Sequence, residues 1–236
     1  MNTTKSLRVI AIVSVIYAIA YLSAQHYLTA STSAHLTDTI TVVIDAGHGG
    51  EDGGAVSTSG IRESELNLAV ALRLEQILAL CGINSFMIRS DDRSVYTEGD
   101  TVHARKMSDL KQRVLLVHSQ IPCVLVSIHQ NHFDEPKYDG AQVFYSAAEG
   151  SKILAQLTQE TLRETLDPQN QREIKQAETV YLLEKTNCTG ILVECGFLSN
   201  PNEALLLQQE HYQTKIACAI GSALSQFLEE GTTDEV

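Results

Sequence analysis

The sequence is poor in positive charge. It has 17 Lys and Arg residues against 29 Asp and Glu residues, which gives a formal net charge of −12. Proteins that bind nucleic acid or an anionic lipid surface need clustered basic side chains to neutralise phosphate groups. The composition therefore argues against both kinds of partner, and a neutral or mixed-charge substrate fits better.

The sequence also lacks closely spaced cysteine pairs. Five cysteines are present, and none of them form a CxxC motif. A disulfide framework or a thiolate zinc site would show such pairs. Most of the cysteines lie in apolar surroundings, which favours small buried hydrophobic residues. The five cysteines are Cys81, Cys123, Cys188, Cys195 and Cys218.

The amino-terminal segment has the pattern of an export signal. Lys5 and Arg8 precede an uncharged, mostly apolar run over residues 9–24, and a polar stretch follows. The run is shorter than the roughly 20 residues of a typical spanning helix, although Tyr27 and Leu28 can extend it. No clear cleavage site follows the run. The pattern favours an uncleaved anchor over a cleaved signal, and a buried core helix is the third alternative.

The rest of the chain is predicted to form one folded domain, because it shows no internal repeat and no low-complexity linker. Hydrophobic residues make up 44% of the chain, as is typical of globular proteins. We expect an anchor and polar stalk over residues 1–38, the folded domain over 39–229 and an acidic tail over 230–236.

Strand and helix patterns alternate along the folded domain. Apolar residues at helical spacing predict helices over residues 64–82, with Ser64 as N-cap, and over 105–119, 151–166 and 203–228. This alternation predicts an α/β fold with a mainly parallel sheet that helices cover on both faces. The predicted strands are TITVVIDA, INSFMIRS, IPCVLVSIHQN, GAQVFYS, ETVYLLEKT and TGILVECGF.

Four chemically active side chains fall at one predicted edge of this sheet. His48 follows the first strand, while His129 and Glu194 end two later strands, and Glu63 precedes the first helix. Ligands of α/β proteins gather at the carboxyl ends of the strands. Two histidines and a glutamate are a standard ligand set for catalytic zinc, and a further carboxylate can exchange protons with water. The alternative is an ordinary glycine-rich turn beside hydrogen-bonded histidines.

Four separated blocks, in order, resemble the zinc-dependent N-acetylmuramoyl-L-alanine amidases of the amidase_3 type. The blocks are VVIDAGHGGEDGGAV, GIRESELNLAVAL, VSIHQN and ILVECGFLSNPNEALLL, and the resemblance covers nearly all of residues 41–228. It implies a mixed six-stranded sheet, one Zn²⁺ ion and hydrolysis of the amide between the lactyl group of N-acetylmuramic acid and L-alanine in peptidoglycan. It also implies that His48, Glu63 and His129 bind the zinc and that Glu194 is the general acid and base.

Other polar residues near these blocks have more than one interpretation. Asn131 is a candidate for substrate binding. His132 is a candidate for substrate binding, for a further zinc ligand or for an exposed loop residue. Asp45 either orients a ligand histidine or forms a turn. Glu65 competes with Glu63 but should point away from the site inside the helix, and Cys195 should face the core.

The chain is more similar to the germination-specific, sporulation-type amidases than to the septal ones. Its strand GAQVFYS passes directly into a helix, without room for the inhibitory insertion of the septal enzymes. The resemblance implies a role in spore cortex maturation through muramic-δ-lactam formation, with a separate deacetylase and an activator protein as candidate partners. It implies an exported enzyme, outside the cytoplasmic membrane. The alternatives are a vegetative autolysin, a catalytically silent wall-binding module and a zinc peptidase acting on the stem peptide.

Overall fold

The computed structural model describes residues 40–233 of the chain. These residues form six strands and six helices. The strands are β1 (Thr41–Ala46), β2 (Ser85–Met87), β3 (Cys123–Asn131), β4 (Gln142–Tyr145), β5 (Lys175–Gln176) and β6 (Thr189–Phe197). The helices are α1 (Glu63–Leu80), α2 (Val102–His118), α3 (Ser151–Leu166), α4 (Tyr181–Lys185), α5 (Pro201–Leu207) and α6 (Glu210–Thr233).

The strands form one mixed sheet in the order β2-β1-β3-β6-β4-β5. All neighbouring strands are parallel except β4 and β6, which are antiparallel. The three central strands are almost fully buried and rich in β-branched residues, as strands covered on both faces are. The predicted α/β fold with a mostly parallel, six-stranded sheet is confirmed.

Helices cover both faces of the sheet because side chains alternate along each strand. Val124 and Val126 of β3 point into a core shared with α1, α3 and α6, which includes Leu74. Leu125 lies between them in sequence and packs into a second core with α2 and α4. The period of two along a strand thus supplies apolar side chains to both layers.

The segment ETVYLLEKT is a helix, so the predicted strand is wrong. Residues Tyr181–Lys185 form α4, and the adjacent Leu182 and Leu183 are both buried in the second core. Neighbouring residues of a strand face opposite sides, whereas one turn of helix can direct both leucines towards the sheet. The sixth strand is β5, a two-residue polar strand that the pattern of apolar residues did not reveal.

The start of the first helix also differs from the prediction. Ser64 is not its N-cap: α1 begins at Glu63, and Arg62 occupies the cap position without a side-chain cap. The backbone N–H of Glu63 instead donates to Ala55 O (2.8 Å), and that of Ser64 donates to Gly53 O (3.1 Å). The loop before the helix therefore satisfies the donors that a cap residue would satisfy.

The predicted last helix is divided into α5 and α6. Asn200 caps α5, and its side chain accepts hydrogen bonds from the backbone N–H groups of Asn202 and Glu203. Pro201 follows at the first helical position, where its missing N–H is not needed. The Asn-Pro pair is the sequence signal for the start of α5, and the helix ends at its C-cap residue Gln208, before α6 begins at Glu210.

The predicted domain boundaries concern both ends of the chain. The anchor and stalk predicted for residues 1–38 lie outside the described residues. Helix α6 continues into the predicted acidic tail as far as Thr233. Within residues 40–233, no helix combines the length and apolar character needed to cross a membrane.

The core makes a direct prediction about stability. We expect Leu74→Ala to lower the free energy of unfolding by about 2–5 kcal/mol, because Leu74 is fully buried and its truncation leaves a cavity. Urea unfolding followed by circular dichroism measures this loss. The matched control is Leu80→Ala in the same helix, where the side chain is 89% exposed and the expected change is within about 0.5 kcal/mol. Equal losses in the two variants would contradict the packing described here.

Candidate metal centre and active site

Three side chains from separate segments meet at the carboxyl edge of the central strands. Glu63 Oε1 lies 2.9 Å from His129 Nδ1, and Glu63 Oε2 lies 3.3 Å from His48 Nε2. The two imidazole rings meet edge to face, with centroids 5.1 Å apart. One ligating atom from each of the three residues lies within 4.8 Å of the others, so the group could hold a metal ion.

The Glu63 carboxylate is buried and fully hydrogen-bonded. Besides the two histidines, Oε1 accepts from the backbone N–H of Gln130 (3.2 Å) and from Asn67 Nδ2 (3.2 Å), while Oε2 accepts from the N–H of Ala55 (2.9 Å). Burial opposes its ionisation, but the hydrogen bonds to the histidines outweigh burial and hold the pKa of Glu63 well below its usual value. The group is therefore ionised, as a carboxyl group must be to bind a metal ion.

Two buried arginines hold the loop that carries His48. Arg89 donates to the carbonyls of Ala46 (2.8 Å) and Gly47 (3.0 Å). Arg113 donates to Ala46 O (3.0 Å) and to His48 O (2.7 Å). His48 has a φ of 60°, a conformation that a non-glycine residue adopts only when its surroundings fix it. The arginines supply that constraint.

Two glycines let the loops approach the cluster. A Cβ atom on Gly47 would lie 2.3 Å from the His129 ring. Gly54 has a φ of +67°, and a Cβ there would lie 2.5 Å from Glu63 Oε2. Glycine is therefore required at both positions, for close packing at the first and for conformation as well at the second.

Charged neighbours set the protonation of His48. Its Nδ1 lies 3.0 Å from Asp52 Oδ2, which also pairs with Lys106 at 3.2 Å. Burial lowers the pKa of His48, but the hydrogen bonds to Asp52 and Glu63 outweigh burial. Together they raise the pKa above its usual value, to about 9. The hydrogen bond with His48 in turn holds the pKa of Asp52 well below its usual value. The carboxylates of Asp52 and Glu63 thus favour positive charge at His48, which either a proton or a bound metal ion can supply.

Glu194 lies directly beside the cluster on the next strand. It pairs in register with His129 across β3 and β6. Its Oε2 is buried and has no hydrogen-bond partner among residues 40–233. Burial raises the pKa of Glu194 to about 7, and the nearby Glu63 charge adds to this while the histidines oppose it. An unpaired carboxyl that titrates near neutrality can both accept and donate a proton.

A cavity of about 220 Å³ adjoins the cluster. His48 and His129 form part of its wall, and Leu110 and Leu192 contribute apolar surface. A small substrate group could occupy this space beside the two histidines.

The remaining sequence candidates lie in different places. Asn131 Oδ1 accepts from the N–H of the exposed His132 (2.8 Å), so both lie at the end of β3 beyond the cluster, and their role in substrate binding stays a prediction. Within residues 40–233, Asp45 orients no histidine directly, because its carboxylate pairs with Arg113 and accepts from Ser127 Oγ. Glu65 is turned towards Arg62, as expected of a residue that is not a ligand.

Sequence reasoning missed the residues that support the three candidate ligands. Asn67 connects Glu63 to Gly47 O, and it accepts from Gln130 Nε2 (3.2 Å). The signal for Asn67 was available, because it lies one helical turn after Glu63 and is a buried polar residue on an apolar helix face. Arg89 and Arg113 gave no such signal, since a single arginine in a polar segment usually faces solvent.

Comparisons with known proteins agree with this geometry. The profile of the Amidase_3 family, N-acetylmuramoyl-L-alanine amidase, matches residues 42–226. The chain is 38% identical over 198 residues to the germination-specific N-acetylmuramoyl-L-alanine amidase of Bacillus subtilis, covering 82% of each protein.

Solved structures are similar as well. The CwlD amidase of Clostridioides difficile, in complex with the GerS lipoprotein, superposes with a TM-score of 0.78 at 39% identity, covering 80% of this chain and 98% of that one. An N-acetylmuramoyl-L-alanine amidase of Clostridium difficile 630 gives a TM-score of 0.72 at 32% identity, covering 82% and 98%. The chain therefore belongs to the Amidase_3 family of N-acetylmuramoyl-L-alanine amidases.

Proposed function

We propose that this protein is a zinc-dependent N-acetylmuramoyl-L-alanine amidase. It hydrolyses the amide between the lactyl group of N-acetylmuramic acid and L-alanine in peptidoglycan. The observation that carries this proposal is the unpaired Glu194 carboxyl, which lies in register with His129 beside the His-Glu-His cluster. Metal-assisted hydrolysis requires a set of metal ligands and an adjacent group that can accept and donate a proton.

The three candidate ligands fit zinc. Tetrahedral zinc with bonds of about 2.0–2.1 Å places neighbouring ligand atoms roughly 3.3 Å apart. Glu63 contacts His48 through Oε2 at 3.3 Å and His129 through Oε1 at 2.9 Å, which is close to this separation, and one ligand atom from each of the three residues lies within 4.8 Å of the others. Two imidazoles and a carboxylate also match the donor set of catalytic zinc sites. When bound, zinc supplies Lewis acidity, which polarises the substrate carbonyl and makes water more acidic.

Glu194 carries out the proton transfers of the reaction. Glu194 takes a proton from the attacking water and delivers it to the nitrogen of the leaving L-alanine. The amide C–N bond breaks, and the products are a lactyl carboxylate and a free amine. Since burial raises its pKa to about 7, Glu194 is poised for both transfers near neutral pH. Arg89 and Arg113 keep His48 in place during this exchange by holding the carbonyls of its loop.

A role in the spore cortex is the narrower part of the proposal. The similarity to the germination-specific amidase of Bacillus subtilis and to CwlD of Clostridioides difficile supports it. In that role the enzyme prepares muramic residues for muramic-δ-lactam formation, together with a separate deacetylase. The CwlD structure is a complex with the GerS lipoprotein, which supports a protein partner for this chain, and we propose that such a partner activates it.

The reaction can be tested on purified peptidoglycan. We expect the wild-type protein with zinc to release free L-alanine amino groups and to leave lactyl carboxylates on muramic acid. Glu194→Gln removes the proton carrier and should lower the rate by about 10²–10⁴-fold. Mass spectrometry of the digest, with amino-terminal labelling, measures both products.

Other end groups would contradict the proposal in different ways. New amino termini other than L-alanine would indicate a peptidase acting within the stem peptide. The absence of any cleavage by the zinc-loaded protein, with or without a candidate activator, would support a silent wall-binding module. Full activity of Glu194→Gln would exclude its proposed role.

Zinc binding should raise the melting temperature. At a zinc concentration of about 100 times Kd, ligation stabilises the fold by about 2.7 kcal/mol, which corresponds to roughly 5–10 °C for a domain of this size. We expect a chelator to remove this gain and His129→Ala to prevent it, because one of three ligands is lost. Differential scanning fluorimetry with and without zinc measures the shift.

The matched control is His103→Ala, since His103 is an exposed histidine of α2 outside the cluster. This variant should keep the zinc-dependent shift of the wild type. A shift that survives in His129→Ala but disappears in His103→Ala would place the metal elsewhere.

We also propose that residues 1–38 export the protein and anchor the catalytic domain, residues 39–229, outside the cytoplasmic membrane. Val15→Asp places a charge within the apolar run, at a cost of about 2.5–3.5 kcal/mol for insertion, and should reduce the membrane-bound fraction. Val15→Leu is the control. Cell fractionation and immunoblotting measure the distribution. Recovery of the wild-type protein only from the culture fluid, with a shortened amino terminus, would exclude the anchor.

A further inference from the structure

Two large aromatic side chains are exposed on the loop that joins β3 to β4. Phe133 is 49% exposed and Tyr138 is 36% exposed. Their ring centroids lie 5.3 Å apart, and both pack on the fully buried Phe197 at 5.7 and 6.3 Å. Adjacent exposed aromatic side chains are a common feature of binding surfaces. We call Phe133 and Tyr138 the aromatic rim.

The aromatic rim is held in place by its backbone. The N–H of Phe133 donates to Ser199 Oγ (3.1 Å), and the carbonyl of Tyr138 accepts from Asn200 Nδ2 (3.2 Å). The Glu203 carboxylate accepts from the N–H of Gly140 (3.0 Å) and from that of Phe197 (2.7 Å). The loop is thus tied to the segment after β6 at both ends, and its aromatic side chains are ordered before any ligand arrives.

The loop begins and ends beside the candidate active site. It starts after Asn131, two residues beyond His129, and Asn131 pairs in register with Phe197. It ends before Gln142, which pairs in register with Glu194 on the opposite side of β6. Phe133 follows His129 by four residues, so the chain between them spans at most about 13 Å. The aromatic rim therefore lies at the margin of the catalytic edge.

The charge around the aromatic rim does not suit a polyanion. The loop carries Asp134, Glu135 and Asp139 against Lys137 alone, and Lys137 pairs with Glu135 at 2.5 Å. The guanidinium of Arg172 packs on the Phe197 ring, 4.4 Å from its centroid, so its charge is already engaged in a cation–π contact. A ligand with a neutral, partly apolar face fits this surface better.

We propose that the aromatic rim binds a sugar ring of the peptidoglycan glycan strand. The inference rests on the proposed amidase function, because the lactyl group is attached directly to the muramic acid ring. When the lactyl amide lies at the His-Glu-His cluster, the glycan must pass within a few ångströms of it. The C–H face of a pyranose ring packs against the face of an aromatic side chain, and two ordered rings lose little entropy on binding. The aromatic rim positions the strand, whereas the cluster and Glu194 act on the amide.

The test uses glycan strands from which the stem peptides have been removed. They offer the sugar but no scissile amide, and Glu194→Gln as the background variant prevents turnover of any residual substrate. We expect Phe133→Ala and Tyr138→Ala each to raise the Kd for these strands by roughly three- to tenfold, because each loses one stacking face. Tyr138→Phe should keep the wild-type affinity, since the ring remains. Isothermal titration calorimetry measures Kd.

The control is Ile153→Ala, which removes another exposed hydrophobic side chain, 54% exposed, from α3. Its Kd should not change. Unchanged affinity in Phe133→Ala and Tyr138→Ala would overturn the proposal, even if these variants lost their response to a protein activator. The amidase function is tested separately, by the end groups that the wild-type protein releases. If the wild-type protein releases L-alanine amino groups but the rim variants bind glycan normally, only the sugar site is refuted.

Discussion

The site depends on one buried carboxylate, that of Glu63. An ionised carboxylate away from water is expensive unless hydrogen bonds and charges compensate for it. Here the compensation comes from the loop before α1, from the backbone that follows His129 and from both histidines. Because these partners come from three segments, satisfying this single group requires the end of β1, the start of α1 and the end of β3 to meet.

The second constraint is the conformation of the loop after β1. His48 can reach Glu63 only in a left-handed backbone conformation, which costs free energy that local interactions do not repay. Arg89, from the segment that follows β2, and Arg113, from α2, donate to consecutive carbonyls of this loop. The buried pair of Asp45 with Arg113 partly offsets the cost of burying the second guanidinium. These arginine contacts hold the backbone of His48 in place.

Two glutamates in one site have opposite electrostatic environments. Hydrogen bonds to Glu63 hold its pKa well below the usual value, whereas burial without a partner raises the pKa of Glu194 to about 7. Divergent pKa values of neighbouring carboxyls are the common basis for dividing ligand and acid–base roles between them. The aromatic rim adds an apolar surface at the margin of the same edge. The candidate catalytic residues and the proposed sugar site are therefore both positioned by β3 and β6.

The sequence by itself determined the fold class and which four side chains lie at the carboxyl edge of the sheet. Buried β-branched runs are a local signal, and His48, His129 and Glu194 follow from where such runs end. It also indicated Glu63, although it misplaced the start of α1 because the donors of that helix are satisfied by the loop and not by Ser64. Only the tertiary structure decided that ETVYLLEKT is a helix, that Asn67 and the two arginines support the site, and that Phe133 and Tyr138 stack on Phe197. These features depend on contacts between segments far apart in the chain, and the period of apolar residues in one segment carries no information about its distant partners.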